Sequence, residues 1–168
     1  MTYGRFAHKN HVHSVYVYRC EDQKFYVGMT PTWKLESRWN DHTCEDAKWG
    51  SRWTNLYKPT SRVKYFHMLS FQRACWLEQQ CVEKIMSVFG LDSVRGGKWN
   101  MTTMGDTWWV PERLRKIPRI INYDSPEIAN KLLEKALQIN VLDESDPHSM
   151  VVDSPTKILY NETSNYEC

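Results

Sequence analysis

One carboxylate interrupts the most regular apolar pattern of the chain. Over residues 71–89, apolar side chains recur at helical spacing, and Glu78 falls at the centre of the apolar stripe. A carboxylate there costs free energy unless it is paired with a cation or bound to a metal ion. Glu78 is therefore a candidate metal ligand, with a salt bridge to arginine or a place at the stripe's edge as structural alternatives. Glu83 lies off the stripe's centre, where we expect it to be solvated.

Arg38 and His42 form a second constellation. They are four residues apart, so on a helix their side chains lie on one face. Leu35 and Trp39 lie alongside and could anchor that helix to a core. Spacing alone favours an ordinary polar face for this pair.

Hydrophobic periodicity and turn residues predict the elements that would position these side chains. Strands are predicted over residues 13–20, 25–28 and 61–69. Helices are predicted over residues 34–42, 71–89 and 126–139. The first two strands form a β-hairpin, and residues 43–60 have the composition of a loop. Gly90 would end the second helix, and Ser125 would cap the start of the third.

The composition is that of a folded protein. The chain has 168 residues, of which 41% are hydrophobic and 25% charged, with a net charge of +2. This fits one small domain with an appendage, and any nucleic-acid surface must come from local clustering of charge. The five cysteines include no CxxC pair, which argues against a structural zinc site and a disulfide framework. Without a long apolar run or a secretory signal, we expect a soluble, intracellular protein of the cytoplasm or nucleus and no membrane partner.

Segments along the chain, taken in order, resemble the GIY-YIG nuclease superfamily. They are VYV (15–17), YVG (26–28), SRWNDH (37–42), GSRWTN (50–55) and ACWLEQQCVEKIMSVFG (74–90), followed by SVRGGKW (93–99). Each segment is a weak signal by itself, whereas their common order and compatible spacing are specific. The resemblance covers residues 13–100 and does not extend over 101–168.

The chain departs from the family pattern at a few positions. Val15 stands where the name motif has glycine, and Met29 and Thr30 follow YVG where many members have lysine or a small residue. Several branches have an asparagine after the catalytic helix, and Asn100 is its candidate counterpart here. The residues of the core chemistry are unaffected by these departures.

The resemblance implies an α/β fold with a small, mainly antiparallel three-stranded sheet flanked by helices. It also implies a mostly helical or irregular C-terminal extension. The implied activity is that of a metal-dependent DNA endonuclease that hydrolyses phosphodiester bonds one strand at a time. The implied site residues are Tyr16, Tyr26, Arg38, His42 and Glu78.

The family chemistry gives each of these residues a role. Glu78 would hold a divalent cation, expected to be Mg²⁺ with Mn²⁺ able to substitute, and Arg38 would clamp phosphate oxygens. Tyr16 would be the general base, helped by His42 because a free phenol has a pKa of about 10. Tyr26 would orient the water or the phosphate. Composition alone would assign both tyrosines to core packing.

A shared pocket for Tyr16 and Tyr26 constrains the hairpin. Both side chains must lie on one face of the sheet, which requires an odd number of turn residues, such as three at 21–23. That register puts Tyr16 opposite Gly28 and Tyr18 opposite Tyr26. Gly28 would let the backbone approach closely at the end of the strand.

DNA is the implied partner. Basic residues that could meet its backbone are interleaved with tryptophan and tyrosine, although a solvated surface is the ordinary interpretation of each one. These residues are Lys34, Arg52, Lys58, Arg62, Lys64, Arg95 and Lys98. One small site cuts one strand, and the sequence leaves open whether the protein is a monomer or a homodimer.

The expected organisation has four parts. They are a lead-in over 1–12, a nuclease domain over 13–100, an extension over 101–140 with a helix near 126–139, and a flexible tail over 141–168. The alternative function is a catalytically silent, nuclease-like module that binds DNA or a partner. The complete set of site residues argues against that alternative.

Overall fold

The computed structural model describes residues 12–45, 49–101 and 110–141. The strands are β1 (His13–Cys20), β2 (Phe25–Pro31), β3 (Pro59–Leu69) and β4 (Val94–Arg95). The helices of the described residues are α1 (Leu35–Thr43), α2 (Arg52–Leu56), α3 (Phe71–Phe89), α4 (Glu112–Arg115) and α5 (Pro126–Ala136). Short 3-10 turns at Glu21–Gln23 and Thr32–Lys34 follow the first two strands.

The strands form one mixed, open sheet in the order β3-β1-β2-β4. β1 is antiparallel to both β2 and β3, whereas β4 is parallel to β2. This confirms the predicted α/β class and the antiparallel arrangement of the three predicted strands. β4 was not predicted, because two residues carry no period from which a strand could be recognised.

The β1–β2 hairpin has the register that the sequence predicted. Its turn is Glu21–Gln23, and both Asp22 and Gln23 adopt left-handed backbone conformations, with φ of 53° and 57°. Tyr16 consequently pairs with Gly28, and Tyr18 pairs with Tyr26. Since partners across an antiparallel pair share a face, both catalytic candidates, Tyr16 and Tyr26, lie on the same side of the sheet.

The two faces of the sheet are covered by different helices. One face packs its aliphatic side chains, including Val15 and Val27, with the apolar stripe of α3. On the other face Tyr16, Tyr18 and Tyr26 pack with Trp53 of α2 and with Leu35 and Trp39 of α1. Strand β1 therefore consists of alternating aliphatic and aromatic side chains because both of its faces are buried.

Helix α3 spans the predicted residues and is closed at both ends as expected. Ser70 Oγ accepts a hydrogen bond from the backbone N–H of Arg73 at the first turn. Gly90 follows the last turn with φ of 104°, a conformation that side chains with a Cβ rarely adopt. The packing of this helix on the sheet determines where Glu78 lies.

Helix α2 lies inside the segment 43–60, which was predicted as a loop. Ser51 and Thr54 form a reciprocal capping box, in which each side chain accepts the other residue's backbone N–H. Its five residues are too few to show helical periodicity. The capping box and the burial of Trp53 stabilise the helix instead.

The described part of the C-terminal extension packs on the domain. Helix α5 contacts α3 and buries Leu133 and Ala136, and it is shorter than the predicted 126–139. Arg113 binds both carboxylate oxygens of Glu83 at 2.6 and 3.0 Å, so the expectation that Glu83 is solvated is wrong. The predicted lead-in and tail lie outside the described residues except for Val12 and Val141.

Two further expectations can be compared with the structure. Cys20, Cys44 and Cys81 are free thiols, but Cys75 is disulfide-bonded, which the cysteine spacing did not predict. Among the described residues, no helix combines the length and the apolar character needed to cross a membrane.

Candidate active site

Tyr16 and His42 form the centre of the candidate site. Tyr16 Oη lies 3.0 Å from His42 Nε2, and both side chains are almost completely buried. The contact exists because β1 directs Tyr16 towards α1, where His42 occupies the last turn. Tyr26 completes the group, with its ring centroid 4.7 Å from that of His42 and 6.3 Å from that of Tyr16.

The second ring nitrogen of His42 is held by Thr54. His42 Nδ1 lies 2.9 Å from Thr54 Oγ1, and the Thr54 hydroxyl in turn donates to the carbonyl oxygen of Ser51 at 3.1 Å. Because that carbonyl takes the hydroxyl proton, the Nδ1 proton of His42 is donated to Thr54. The remaining nitrogen, Nε2, is then an acceptor for the Tyr16 hydroxyl.

Gly28 makes room for Tyr16 rather than for a close approach of backbone. A Cβ atom at position 28 would lie 2.3 Å from Tyr16 Oη and 2.4 Å from its Cζ. The phenol of Tyr16 thus fills the space above its strand partner. Any larger residue at position 28 would displace the hydroxyl from His42.

Arg38 lies on the same face of α1 as His42, one turn earlier. Its Nη1 donates to Asp41 Oδ2 at 3.0 Å and to the carbonyl oxygen of Trp49 at 3.2 Å, while Nη2 is 3.4 Å from His42 Nε2. The Arg38 side chain is 28% exposed, so its guanidinium is accessible to solvent while lying next to the buried tyrosines.

Glu78 is buried on α3, where its position in the apolar stripe predicted an unusual carboxylate. Its Oε1 accepts a hydrogen bond from the backbone N–H of Gly97 at 3.1 Å. Its Oε2 is buried and has no hydrogen-bond partner among the residues that the structure describes. A buried carboxylate oxygen without a partner is rare and needs an explanation such as a bound ion. Within the described part of the chain, Glu78 forms no salt bridge to arginine, which was the structural alternative.

Burial dominates the electrostatics of the site. It raises the pKa of Tyr16 to about 12 and that of Glu78 to about 7, and it lowers the pKa of His42 to about 3. The pKa of Tyr26 is likewise raised by burial. The charge of Arg38 lowers the pKa of both tyrosines and the charge of Glu78 raises it, so one electrostatic environment includes all five predicted residues.

The ligands available for a metal ion are few. No group of three or more His, Cys, Asp or Glu side chains occurs in the part of the chain that the structure describes. Glu78 is the carboxylate of this site with an unused, buried oxygen. Asn100, the candidate counterpart of the family asparagine, is exposed.

The basic residues proposed for DNA contact differ in their accessibility. Arg62 is bound bidentately to Glu36 at 2.7 and 2.8 Å, and the ammonium groups of Lys58 and Lys64 donate to the carbonyl oxygens of Cys44 and Leu137. Three further candidates are partly or fully exposed to solvent: Lys34, Arg52 and Lys98.

Arg95 is a core residue and is no longer a candidate for DNA contact. Its side chain is fully buried, it donates to the carbonyl oxygens of Leu91 and Met101 at 2.7 and 2.6 Å, and it stacks on Trp53. The VRGG segment therefore places a guanidinium inside the fold. A sequence pattern cannot separate such an arginine from an exposed one, because its acceptors are backbone carbonyls.

Within the GSRWTN segment, the sequence predicted a DNA contact for Arg52 but no role for Thr54. Trp53 Nε1 donates to the carbonyl oxygen of Phe25 at 2.8 Å, which fixes α2 on the hairpin. Thr54 then lies where it can orient His42. The signal was present in the sequence, but the contact between positions 42 and 54 depends on tertiary packing.

A comparison with protein-family models matches residues 12–85 to the GIY-YIG catalytic domain. Comparisons with curated proteins and with solved structures give no match. The matched range includes every residue of the Tyr16–His42–Arg38–Glu78 group, and the observed sheet and flanking helices agree with that fold. Residues 12–85 therefore belong to the GIY-YIG nuclease superfamily, a class of nuclease-type hydrolases.

Proposed function

We propose that this protein is a DNA endonuclease that hydrolyses phosphodiester bonds one strand at a time. The observation that carries the proposal is the buried 3.0 Å contact between the Tyr16 hydroxyl and Nε2 of His42, whose other ring nitrogen is held by Thr54. Arg38 lies beside that pair, and Glu78 contributes a buried carboxylate oxygen that has no partner among the described residues. Phosphodiester hydrolysis needs an activated water and compensation of the charge on the phosphoryl group, and these residues supply both.

Proton transfer would run from water through Tyr16 to His42. The Tyr16 oxygen accepts the proton of the attacking water as its own proton moves to His42 Nε2, so the phenol never has to ionise. The bond between water oxygen and phosphorus forms, the bond to the leaving oxygen breaks, and that oxygen takes a proton from solvent. This route suits a phenol whose pKa is raised to about 12, because phenolate alone would be too scarce.

Arg38 and Tyr26 would position the phosphate. The guanidinium of Arg38 carries a permanent charge and two edges of donors, which fit non-bridging phosphate oxygens. Its contacts with Asp41 and Trp49 use Nη1, so Nη2 remains directed towards the Tyr16–His42 pair. Tyr26, on the same face, would orient the water or the phosphate.

The buried Oε2 of Glu78 fits a divalent cation, expected to be Mg²⁺ and replaceable by Mn²⁺. Mg²⁺ sites in proteins use one or two carboxylates together with substrate phosphate, and a single carboxylate here would bind the cation best with DNA present. When bound, the cation supplies Lewis-acid charge at the phosphoryl oxygens. Glu78 would supply the ligand oxygen, and the hydrogen bond from the backbone N–H of Gly97 holds the Glu78 carboxylate in place.

Cleavage of plasmid DNA tests the proposal. Purified protein is incubated with supercoiled, branched and single-stranded DNA in Mg²⁺, in Mn²⁺ and in EDTA. We expect nicked products with Mg²⁺ and with Mn²⁺, and none in EDTA. Glu78→Gln and Tyr16→Phe should each reduce the rate by at least about 100-fold. Glu83→Gln, the same change five residues along α3, is the matched control and should stay within about threefold, because Glu83 is bonded to Gln79, Trp99 and Arg113 and to none of the five candidate site residues.

Two results would overturn the proposal. Cleavage by Glu78→Gln at the wild-type rate would assign the activity to another site or to a contaminant. No cleavage of any DNA by the folded wild-type protein would favour the silent, nuclease-like binding module. Initial products nicked in one strand are expected for a monomer, whereas directly linearised plasmid would indicate a homodimer.

A further inference from the structure

A polar cluster outside the proposed chemistry joins three elements on the face that carries Tyr16. Ser14 Oγ of β1 lies 2.8 Å from His67 Nδ1 of β3 and 2.8 Å from Thr32 Oγ1, which precedes α1. Ser14 is completely buried, whereas His67 is exposed. The buried hydroxyl thus holds a solvent-facing imidazole.

The register places this cluster next to the candidate active site. Ser14 is two residues before Tyr16 on β1, so both lie on one face and are separated by about 7 Å along the strand. Tyr65 pairs with Tyr16, and the ring of His67 lies 5.7 Å from that of Tyr65. His67 therefore neighbours Tyr16 in two ways. It contacts Ser14, which is two residues from Tyr16 on β1, and it contacts Tyr65, the partner of Tyr16 on β3.

The hydrogen bonds also set the direction of the imidazole. Nδ1 is bound to Ser14, and among the described residues Nε2 has no hydrogen-bond partner. When Thr32 donates to Ser14 and Ser14 donates to Nδ1, the ring proton is on Nε2 and faces solvent. A fixed, exposed N–H is a suitable donor for a phosphate oxygen of a DNA backbone.

We infer that His67, oriented by Ser14, binds a backbone phosphate next to the phosphate being cut. This inference rests on the proposed nuclease function, because it assigns the neighbouring phosphate of the same DNA strand. The role is substrate positioning: His67 donates through Nε2 and takes no part in proton transfer at the scissile bond.

Three substitutions at position 67 separate DNA contact from support of the fold. His67→Asn keeps a nitrogen or oxygen near Nδ1 for Ser14 but has no outer donor. His67→Gln can extend a donor towards the position of Nε2, and His67→Ala removes both. Ser61→Ala, on the exposed part of β3 and outside the cluster, is the control.

The affinity of each variant for fluorescent branched and duplex DNA is measured in EDTA, where the DNA stays intact. We expect Kd to rise about tenfold in His67→Ala and His67→Asn, less in His67→Gln, and not in Ser61→Ala. In cleavage assays KM should rise with kcat unchanged. If His67→Asn binds like wild type while only His67→Ala is weakened, the cluster is structural and the inference fails.

Neutral phosphates locate the contact. Methylphosphonates are placed singly at the phosphates flanking the mapped cut, and one position should weaken wild-type binding about tenfold while leaving His67→Ala unaffected. Equal sensitivity of both proteins at every position would overturn the inference.

If wild type cuts DNA and His67→Ala has wild-type Kd and KM, the inference about His67 fails while the nuclease proposal stands. If wild type binds DNA without cutting it, the nuclease proposal fails and the Kd comparison still decides the role of His67.

Discussion

At the residue scale, the Tyr16–His42 pair is set so that neither partner is charged in the free protein. Their pKa values, about 12 and about 3, differ by about nine, which strongly disfavours transfer of the proton from phenol to imidazole. An imidazole with so low a pKa is a weak proton acceptor, so His42 can take the proton from Tyr16 only when its surroundings raise that pKa. Binding of an anionic phosphate beside His42 would favour its protonated form.

The orientation of His42 can be tested through Thr54. Thr54→Val removes the acceptor for the Nδ1 proton, so the imidazole can rotate or change tautomer, and kcat should fall about 10- to 100-fold with KM little changed. Thr54→Ser should restore most of the rate. Thr43→Val is the matched control, since Thr43 is on the helix of His42 and its hydroxyl bonds to the carbonyl of Trp39. Equal losses in both valine variants would contradict the prediction.

Two buried titrating groups give opposite pH dependences of stability. His42 has a folded pKa of about 3 against an ordinary value of 6.5, so the unfolded state binds the extra proton and the contribution of His42 to stability falls as pH drops below 6.5. Glu78 has a folded pKa of about 7 against 4.5. There the folded state binds the extra proton, and stability rises as pH drops from 7 to 4.5.

Between pH 6.5 and 4.5 these two effects oppose each other, each with a slope of about 1.4 kcal/mol per pH unit. Without metal, we expect wild-type stability to change little over this range. Glu78→Gln should lose up to about 2.7 kcal/mol on acidification from 6.5 to 4.5, whereas His42→Gln should gain a similar amount. Urea unfolding in EDTA at several pH values measures this. Parallel profiles in the two variants would contradict the assigned burial.

At the element scale, the hairpin register and one glycine determine where the phenol of Tyr16 lies. Gly28→Ala would place a Cβ 2.3 Å from Tyr16 Oη, so the hydroxyl must leave His42. We expect at least about a 100-fold loss of activity and about 1–3 kcal/mol lower free energy of unfolding. The control is the double-mutant cycle with Tyr16→Ala, in which the stability cost of Gly28→Ala should disappear. A full cost in that background would place the strain elsewhere.

Long periodic elements could be predicted from the sequence, and short ones could not. Helix α3 and strand β1 were predicted with their observed ends, because apolar period and capping residues agree over their whole length. Strand β2 extends to Pro31, past the predicted end at residue 28, because Gly28 and Pro31 are residue types that usually mark the end of a strand. Helix α2 and strand β4 are too short for any period.

The same limit applies to the candidate site. Positions of Arg38, His42 and Glu78 on helix faces followed from spacing, and the shared face of the tyrosines followed from the parity of the turn. The hydroxyl of Thr54, the room above Gly28 and the buried acceptors of Arg95 depend on contacts between distant segments. Periodicity describes one element at a time and contains no information about such contacts.

At the scale of the whole molecule, the described part of the extension is built into the domain. The backbone N–H groups of Leu91 and Asp92 donate to the carbonyls of Pro118 and Arg119, and that of Ile121 donates to Phe89. Gly90 has Arg119 immediately beside it, with a hypothetical Cβ only 2.4 Å from the Arg119 carbonyl oxygen. The segment that follows α3 is thus held by the extension, and Gly97, whose backbone N–H donates to Glu78, belongs to that segment.

This packing predicts a single cooperative unfolding transition that includes the extension. Leu133 of α5 is 3% exposed within the main core, whereas Ile128 of the same helix is 51% exposed. Leu133→Ala should lower the free energy of unfolding by about 2–4 kcal/mol, and Ile128→Ala by less than about 0.5 kcal/mol. Urea titrations followed by tryptophan fluorescence and by far-UV circular dichroism should coincide for wild type and for both variants.

A separate early transition, or a loss in Leu133→Ala no larger than in Ile128→Ala, would show that the extension folds independently of the rest of the domain. In that case, removing it should leave the site intact, whereas an integral extension makes its loss fatal to activity.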